Sequence, residues 1–183
     1  MQNIALTGLA RAGKDTVAAR LVEQHGYVRV AFADALKESA LKADPIVVTD
    51  DDDWDTPGTR LSAVVEYHGW EAAKDRFPEV RRFLQHYGQA VREIDPMFWI
   101  KAVGHAVRTA WADGRPVVVT DVRYRNEAAF LANRFSLVRI ERPGLVPGDH
   151  ASEREMLDCP VSRTLVNGGS VEALVALADS LVY

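Results

Sequence analysis

The stretch Gly8-Leu9-Ala10-Arg11-Ala12-Gly13-Lys14 constrains this chain more than any other. The apolar run Ile4-Ala5-Leu6 stops at a glycine shortly afterwards, as a buried strand entering a turn does. Beyond Lys14 the spacing becomes helical, with Val17, Leu21 and Val22 apolar against Lys14, Asp15, Arg20 and Glu23. Strand, glycine-bounded loop, then helix is the context in which G-x-x-x-x-G-K marks a phosphate site rather than an ordinary turn with a surface lysine. Gly8 and Gly13 permit a tight turn in which successive N–H groups face one anion. The helix start adds orphan donors and partial positive charge, and Lys14 adds a point charge for the β- and γ-phosphates.

One position departs from the usual pattern. The hydroxyl residue expected after the lysine is Asp15, and Thr16 comes one step later. A carboxylate suits the first turn of any helix, where it contributes about 0.3–1 kcal/mol. Beside a triphosphate it is repelled unless a cation intervenes, which favours a role through Mg²⁺. The Thr16 hydroxyl is a rival for that role.

Further along, Gly26 stops the first helix, and Tyr27 to Phe32 alternates as a second strand. Asp34 and Lys37 follow at its end. In a parallel α/β sheet ligands sit beyond the carboxyl ends of the strands. Asp34 and Lys37 therefore either face the phosphate crevice or serve as a helix cap and a solvated lysine. Residues 44–60 read as a loop, broken by Pro45, Pro57 and Gly58; Asp50, Asp51, Asp52, Asp53 and Asp55 lack calcium-loop spacing and read as solvated. Residues 61–77 are weakly helical. From Glu79 to Arg92 a helix sets Val80, Phe83, Leu84, Tyr87 and Val91 on one face and Arg82, Gln85, Gln89 and Arg92 opposite. Such a polar stripe is ordinarily solvated, yet two arginines and two amides would also suit a phosphate and a base edge.

Asp95-Pro96 predicts a helix start, and the segment from Met97 to Trp111 is apolar most of the way round until Gly114 ends it. Pro116 to Asp121 is a β-branched run suited to a central parallel strand. An aspartate ending such a strand is the second half of a nucleotide-site pattern, holding Mg²⁺ directly or through water. Arg123 and Arg125 follow within reach of transferring phosphates, and Asn126-Glu127 opens another helix. Ser136 to Glu141 is a further strand. Residues 142–162 have the composition of a lid around Asp149-His150-Ala151-Ser152-Glu153-Arg154, with His150 read as a loop histidine. Leu165-Val166 is a last short strand, and Asn167 to Ser170 turns into a C-terminal helix.

Composition narrows the classes. The 183 residues suit one sizeable core, and 48% hydrophobic with 26% charged content predicts a soluble globular chain. No apolar stretch approaches a membrane span. Met1-Gln2-Asn3 runs into the first strand, so no signal peptide is expected. The lone Cys159 excludes an internal disulfide and predicts a reducing, cytoplasmic setting. A net charge of −4 without a long basic tract disfavours a nucleic-acid backbone as partner, though not a local basic pocket. Self-association into a homodimer is left open.

Taken together, the chain resembles the phage-type deoxynucleoside monophosphate kinases and, more distantly, the phosphomevalonate kinases, which share the Gly-x-x-x-x-Gly-Lys-Asp loop. The likeness rests on ordered blocks: Gly8 to Thr16; Phe32 to Lys37; Tyr87-Gly88 through Arg92 with Asp95-Pro96 and Trp99; Asp121-Val122-Arg123 with Asn126-Glu127; Arg142-Pro143-Gly144; Asp149-His150 with Ser152-Glu153; and Asn167-Gly168. The resemblance implies a three-layer P-loop NTPase fold, nucleoside monophosphate kinase-like, with a central parallel sheet and a short lid. It implies one kinase domain over 1–183, with 142–162 as lid and 43–78 as an unmatched acceptor-side insertion. ATP and Mg²⁺ are the implied cofactors, and a deoxynucleoside monophosphate is the implied acceptor. Lys14, Asp15, Arg92 and Arg123 would be catalytic. Gly8, Arg11, Ala12, Gly13, Lys14, Asp15, Thr16, Arg142 and Asn167 would bind ATP. Asp34, Lys37, Arg82, Arg92 and Arg125 would bind the acceptor, and Asp15, Thr16 and Asp121 would serve the metal. A phosphomevalonate kinase-like activity and a non-catalytic nucleotide-binding module are the alternatives. A nucleic-acid-binding ATPase is opposed by the charge.

Overall fold

The structure, a computed structural model, describes residues 2–48, 58–148 and 154–182. The chain forms two compact units, one made of Met1–Phe32 with Ala102–Tyr183 and the other of Ala33–Lys101. Among the described residues no helix is long and apolar enough to cross a membrane.

The first unit is built on five parallel strands in the order β2-β5-β1-β6-β7. They are β1 (Asn3–Thr7), β2 (Val28–Val30), β5 (Val117–Val119), β6 (Phe135–Glu141) and β7 (Arg163–Val166). Parallel neighbours require crossovers, which helices α1 (Lys14–His25), α5 (Phe98–Ala112), α6 (Arg125–Leu131) and α7 (Val171–Asp179) help to supply. Alternation along the strands divides the core into two layers. Ile4, Leu6, Val118, Val138, Ile140 and Leu165 pack with Val17, Leu21, Leu174 and Ala178 of α1 and α7. On the other face Asn3 accepts a hydrogen bond from the Trp111 indole of α5 at 3.2 Å, and Trp111 lies 6.2 Å from the ring of Phe135. Phe130 of α6 meets Gly104 of α5 on that side. Val117, Val118 and Val119 are fully buried, as expected of a strand covered on both faces. The three layers inferred from the resemblance are thus present in this unit.

The second unit packs most of α2 (Phe32–Ala43), α3 (Leu61–Arg76) and α4 (Pro78–Ile94) around Ala40, Val47, Leu61, Val64, Ala73, Val80 and Leu84. Trp99 is buried, and its indole donates to the Gly88 carbonyl at 3.2 Å. The apolar face expected for α4 is found, with Val80, Leu84 and Gly88 inward and Arg82 and Gln85 exposed. The weak helical pattern of 61–77 has a cause: Gly69 (φ 72, ψ 162) breaks α3 and resets the phase of its apolar positions.

Three expectations change. Within 44–60, read as loop, β3 (Ile46–Val48) and β4 (Thr59–Arg60) pair antiparallel; runs this short are too brief for alternation to show. The acidic residues Asp50 to Asp53 and Asp55 lie outside the described residues. The second strand ends at Val30, because the Phe32 N–H is drawn to the Asp121 carboxylate at 2.8 Å and opens α2 there. Helix α5 opens at Phe98 rather than at Pro96, since the Asp95 side chain accepts from Met97 N–H at 2.9 Å and forms a turn of its own.

The C-terminal helix is tied to the first by one carboxylate. Asp179 accepts two hydrogen bonds from Arg20, each 2.8 Å, and lies 2.8 Å from His25 Nε2. The Arg20 bonds, then the His25 bond, hold its carboxyl well below the usual carboxylate range. A depressed carboxyl adds stability above its unfolded value, and that stability is lost as pH falls. Asp179→Asn should therefore melt at a lower temperature than wild type near neutrality. The difference should shrink below about pH 4, the ordinary aspartate value, in thermal melts across pH.

Candidate functional site

Four strands deliver residues to the carboxyl edge of the parallel sheet: Gly8 after β1, Asp121 after β5, Arg142 after β6 and Asn167 after β7. The crevice outside such an edge, where the strand order reverses, is where ligands bind in open α/β sheets. Here the reversal falls at β1, whose neighbours β5 and β6 lead to opposite edges.

The loop after β1 is shaped by positive φ angles at Gly8 (133°), Arg11 (64°) and Gly13 (108°). A Cβ on Gly8 would lie 2.2 Å from the Ile140 carbonyl oxygen, and one on Gly13 2.8 Å from Asn167 Nδ2 and from Leu174. Both glycines are thus required by close approach as well as by backbone angle. Arg11 has no such excuse, and its left-handed backbone stores about 1–3 kcal/mol of strain in the loop. Lys14 opens α1 and bends back so that Nζ donates to Gly8 O at 2.8 Å and Leu9 O at 2.7 Å. Its ammonium is thereby parked on the rim of the loop. From the other side Asn167 Nδ2 donates to Ala12 O at 2.9 Å, linking the loop to the end of β7.

Two cavities flank this loop, both within the first unit. One, of about 300 Å³, is lined by Arg11, Gly13, Lys14, Asp15, Thr16, Arg142, Asn167, Gly169, Val171 and Leu174. Seven of the residues the resemblance assigns to ATP meet there, and three cations face one carboxylate, a balance suited to a polyanion. The other, of about 430 Å³, runs from Thr7, Gly8 and Leu9 to Val122, Arg123 and Arg139, with Arg142 shared between the two.

Asp121 is buried beneath this edge, and its carboxylate accepts from Phe32 N–H. Arg123 lines the larger cavity. Arg125 is turned elsewhere: its guanidinium pairs with Asp158 at 2.7 Å and its N–H donates to Glu155 at 2.8 Å. Asp34, Lys37, Arg82 and Arg92 belong to the second unit. There Asp34 is exposed in the first turn of α2, and Arg92 is half-buried on α4. Lys37 lies 5.5 Å from the centre of the Trp70 ring, and Arg82 pairs with Glu79 on the exposed face. His150 and the acidic residues around it lie outside the described residues.

Two residues escaped the sequence reading. Arg139 holds the later part of the 142–162 segment by donating to Met156 O at 2.8 Å and Cys159 O at 2.7 Å. A charge set between Val138 and Ile140 within a largely apolar strand was the available signal, since it must find partners. Glu127, read as a helix start and as part of a resembling block but given no role, is fully buried and accepts from Arg123 N–H at 2.8 Å and Tyr124 N–H at 3.1 Å.

Metal-ligand chemistry fits part of this arrangement. Asp15 and Thr16 offer oxygen atoms on the smaller cavity, the donor type a hard divalent cation takes. Among the described residues no group of three or more His, Cys, Asp or Glu gathers in one place.

The contrast between glycines is testable. Gly8→Ala forces a clash with backbone and should cost at least about 1–3 kcal/mol in denaturant unfolding, together with most of the affinity for tripolyphosphate. Gly114→Ala, where φ is 69° but no atom lies within 4 Å of the added Cβ, should keep that affinity.

No protein-family model matches the chain. It is 27% identical to an Acanthamoeba polyphaga mimivirus protein named "Putative deoxynucleotide monophosphate kinase", across 98% of this chain and 95% of that one. An uncharacterised protein, ORF76 of Ictalurid herpesvirus 1 (strain Auburn), is 34% identical over 53% of this chain and 43% of its own length. Among solved structures, an unliganded sugar kinase from Janibacter sp. HTCC2649 superposes with a TM-score of 0.51 at 13% identity, covering 100% of this chain and 94% of that one. The chain thus has a three-layer α/β fold of the P-loop NTPase type and, along nearly its whole length, resembles a viral protein named "Putative deoxynucleotide monophosphate kinase".

Proposed function

We propose that the protein transfers the γ-phosphoryl group of ATP to a deoxynucleoside monophosphate, giving the diphosphate. The observation that carries the reading is the phosphate loop flanked by Arg11, Arg142 and Arg123, on a chain similar over nearly its full length to the mimivirus protein. A module that only binds a nucleotide has no use for arginines beyond those that grip it.

In this reading the loop amides and Lys14 hold the donor phosphates, and Asn167 steadies the loop beside the adenine. Asp15 and Thr16 would hold Mg²⁺, with Asp121 nearby in the sequence pattern; the ion supplies charge neutralisation along the phosphates. The acceptor's phosphate is already largely ionised at neutral pH, its second pKa being about 6, so no general base is needed. Lys14 and Arg123 then act by positioning and by stabilising charge as it spreads over the transferring oxygens. Closure of the 142–162 segment would exclude water, which otherwise competes for the γ-phosphate. Asp34, Lys37 and Arg92 would bind the acceptor, and the unmatched 43–78 stretch would tune its choice.

A coupled ADP-release assay across the deoxy- and ribonucleoside monophosphates tests the reading. Turnover with at least one deoxynucleotide, dependent on Mg²⁺, is expected. No diphosphate from any of them, with phosphorylation of phosphomevalonate instead, would move the assignment to the second kinase class.

The acceptor side has its own test on α4. If Arg92 grips the acceptor phosphate, Arg92→Ala removes a charge-assisted hydrogen bond of about 1.5–3 kcal/mol. The acceptor kcat/KM should then fall about ten- to hundredfold, with the ATP dissociation constant unmoved. Arg81, exposed on the same helix and paired with Asp75 at 3.3 Å, is the control, and its alanine variant should stay near wild type. Equal, mild effects at both positions would show the stripe to be a solvated helix face.

A further inference from the structure

Thr7 is the last residue of β1 and the one before Gly8, and only 1% of its surface is exposed. A buried hydroxyl is costly unless it is bonded, and valine has nearly the same shape. The neighbouring strand β5 is itself built from three buried valines. Packing alone therefore gives no reason for threonine here. Its hydroxyl has one partner in view: Thr7 Oγ1 donates to the Val122 carbonyl at 2.8 Å.

That bond falls where the sheet ends. The β1–β5 ladder reaches its last pair at Ala5 and Val119. Beyond it, Val122 N–H donates to Leu6 O at 3.0 Å, and Thr7 secures the Val122 carbonyl. The next N–H, of Arg123, is held at 2.8 Å by the buried Glu127. Both polar atoms of the peptide joining Val122 to Arg123 are thus bound by buried side chains, one from each side. Thr7, Gly8 and Arg123 line the same cavity.

We infer that Thr7 is a positioning residue of the transfer site, its hydroxyl fixing the Arg123 backbone against the start of the phosphate loop. The inference rests on the phosphoryl-transfer reading and adds to it a residue that touches no substrate. Because Thr7 is covalently joined to Gly8, the strut sets the Arg123 guanidinium and the loop amides in one frame. A residue acting this way affects the reaction only through Arg123.

The test uses Thr7→Val, Thr7→Ser, Arg123→Ala and the double variant Thr7→Val/Arg123→Ala. Misplacement of a catalytic group by about 1 Å can cost about a hundredfold, so Thr7→Val should lower kcat at least about tenfold with little change in the KM for ATP. Thr7→Ser keeps the hydroxyl and should recover most of the loss. In the Arg123→Ala background the valine change should add nothing. Multiplying effects of the two substitutions, a lower melting temperature with unchanged kcat, or serine as poor as valine would each overturn the inference. Should the valine variant not fold, Thr7→Ala takes its place in the same cycle. If wild type transfers phosphate to no acceptor, the kinase reading fails by itself. Amide hydrogen exchange then decides the strut: faster exchange at Arg123 N–H in Thr7→Val, restored in Thr7→Ser, supports it, and unchanged exchange overturns it.

Discussion

Only a hydrogen atom fits between the Gly8 α-carbon and the Ile140 carbonyl. This close approach brings the end of β1 against the backbone of β6, and the rest of the site follows from it. With β1 seated there, the loop must leave the sheet through positive φ angles at Gly8, Arg11 and Gly13, and α1 must begin at Lys14. The lysine then donates back to the loop carbonyls, and Asn167 meets Ala12 from the end of β7. Each contact is a modest one. Their combined effect is a loop held in shape before any anion arrives, which is how a site avoids ordering costs on binding.

Much of this was legible from residue order because the constraints are local. A glycine needed for close approach, a lysine at a helix start and a β-branched run ending in aspartate each carry a physical reason that survives without coordinates. Phosphate-loop residues Arg11, Gly13, Lys14, Asp15 and Thr16, with Arg142 and Asn167, come together around one cavity. What was not legible depends on distant partners. Nothing in the text of the sequence says that Phe32 will be pulled into a helix by a carboxylate 89 positions away, shortening the strand before it. The two strands within 44–60 are too short to show a period, and the glycine inside α3 scrambles the pattern of an otherwise ordinary helix. Arg125 shows the limit of reading charge by location, since the neighbours that occupy it come from a segment some thirty positions on.

The buried polar groups divide along similar lines. Asp121, Glu127, Thr7 and Thr120 are the buried polar residues among those described, and three of them act on backbone groups around the same edge. A buried charge or hydroxyl left without such partners would destabilise the unit, so these contacts stabilise the fold as well as shape the site. Stability and geometry are therefore not separable there: a substitution that loosens one of these groups changes both.

The order in which the strands appear along the chain has a consequence for biosynthesis. Strand β1 is central, yet its neighbours β5 and β6 follow much later, at Val117 and Phe135. At about 5–20 residues per second on the ribosome, β1 waits roughly 5–20 seconds for its first central partner to be made. During that interval all of the second unit, a single continuous stretch from Ala33 to Lys101, has been synthesised. The phosphate loop is thus made well before the strands that support it.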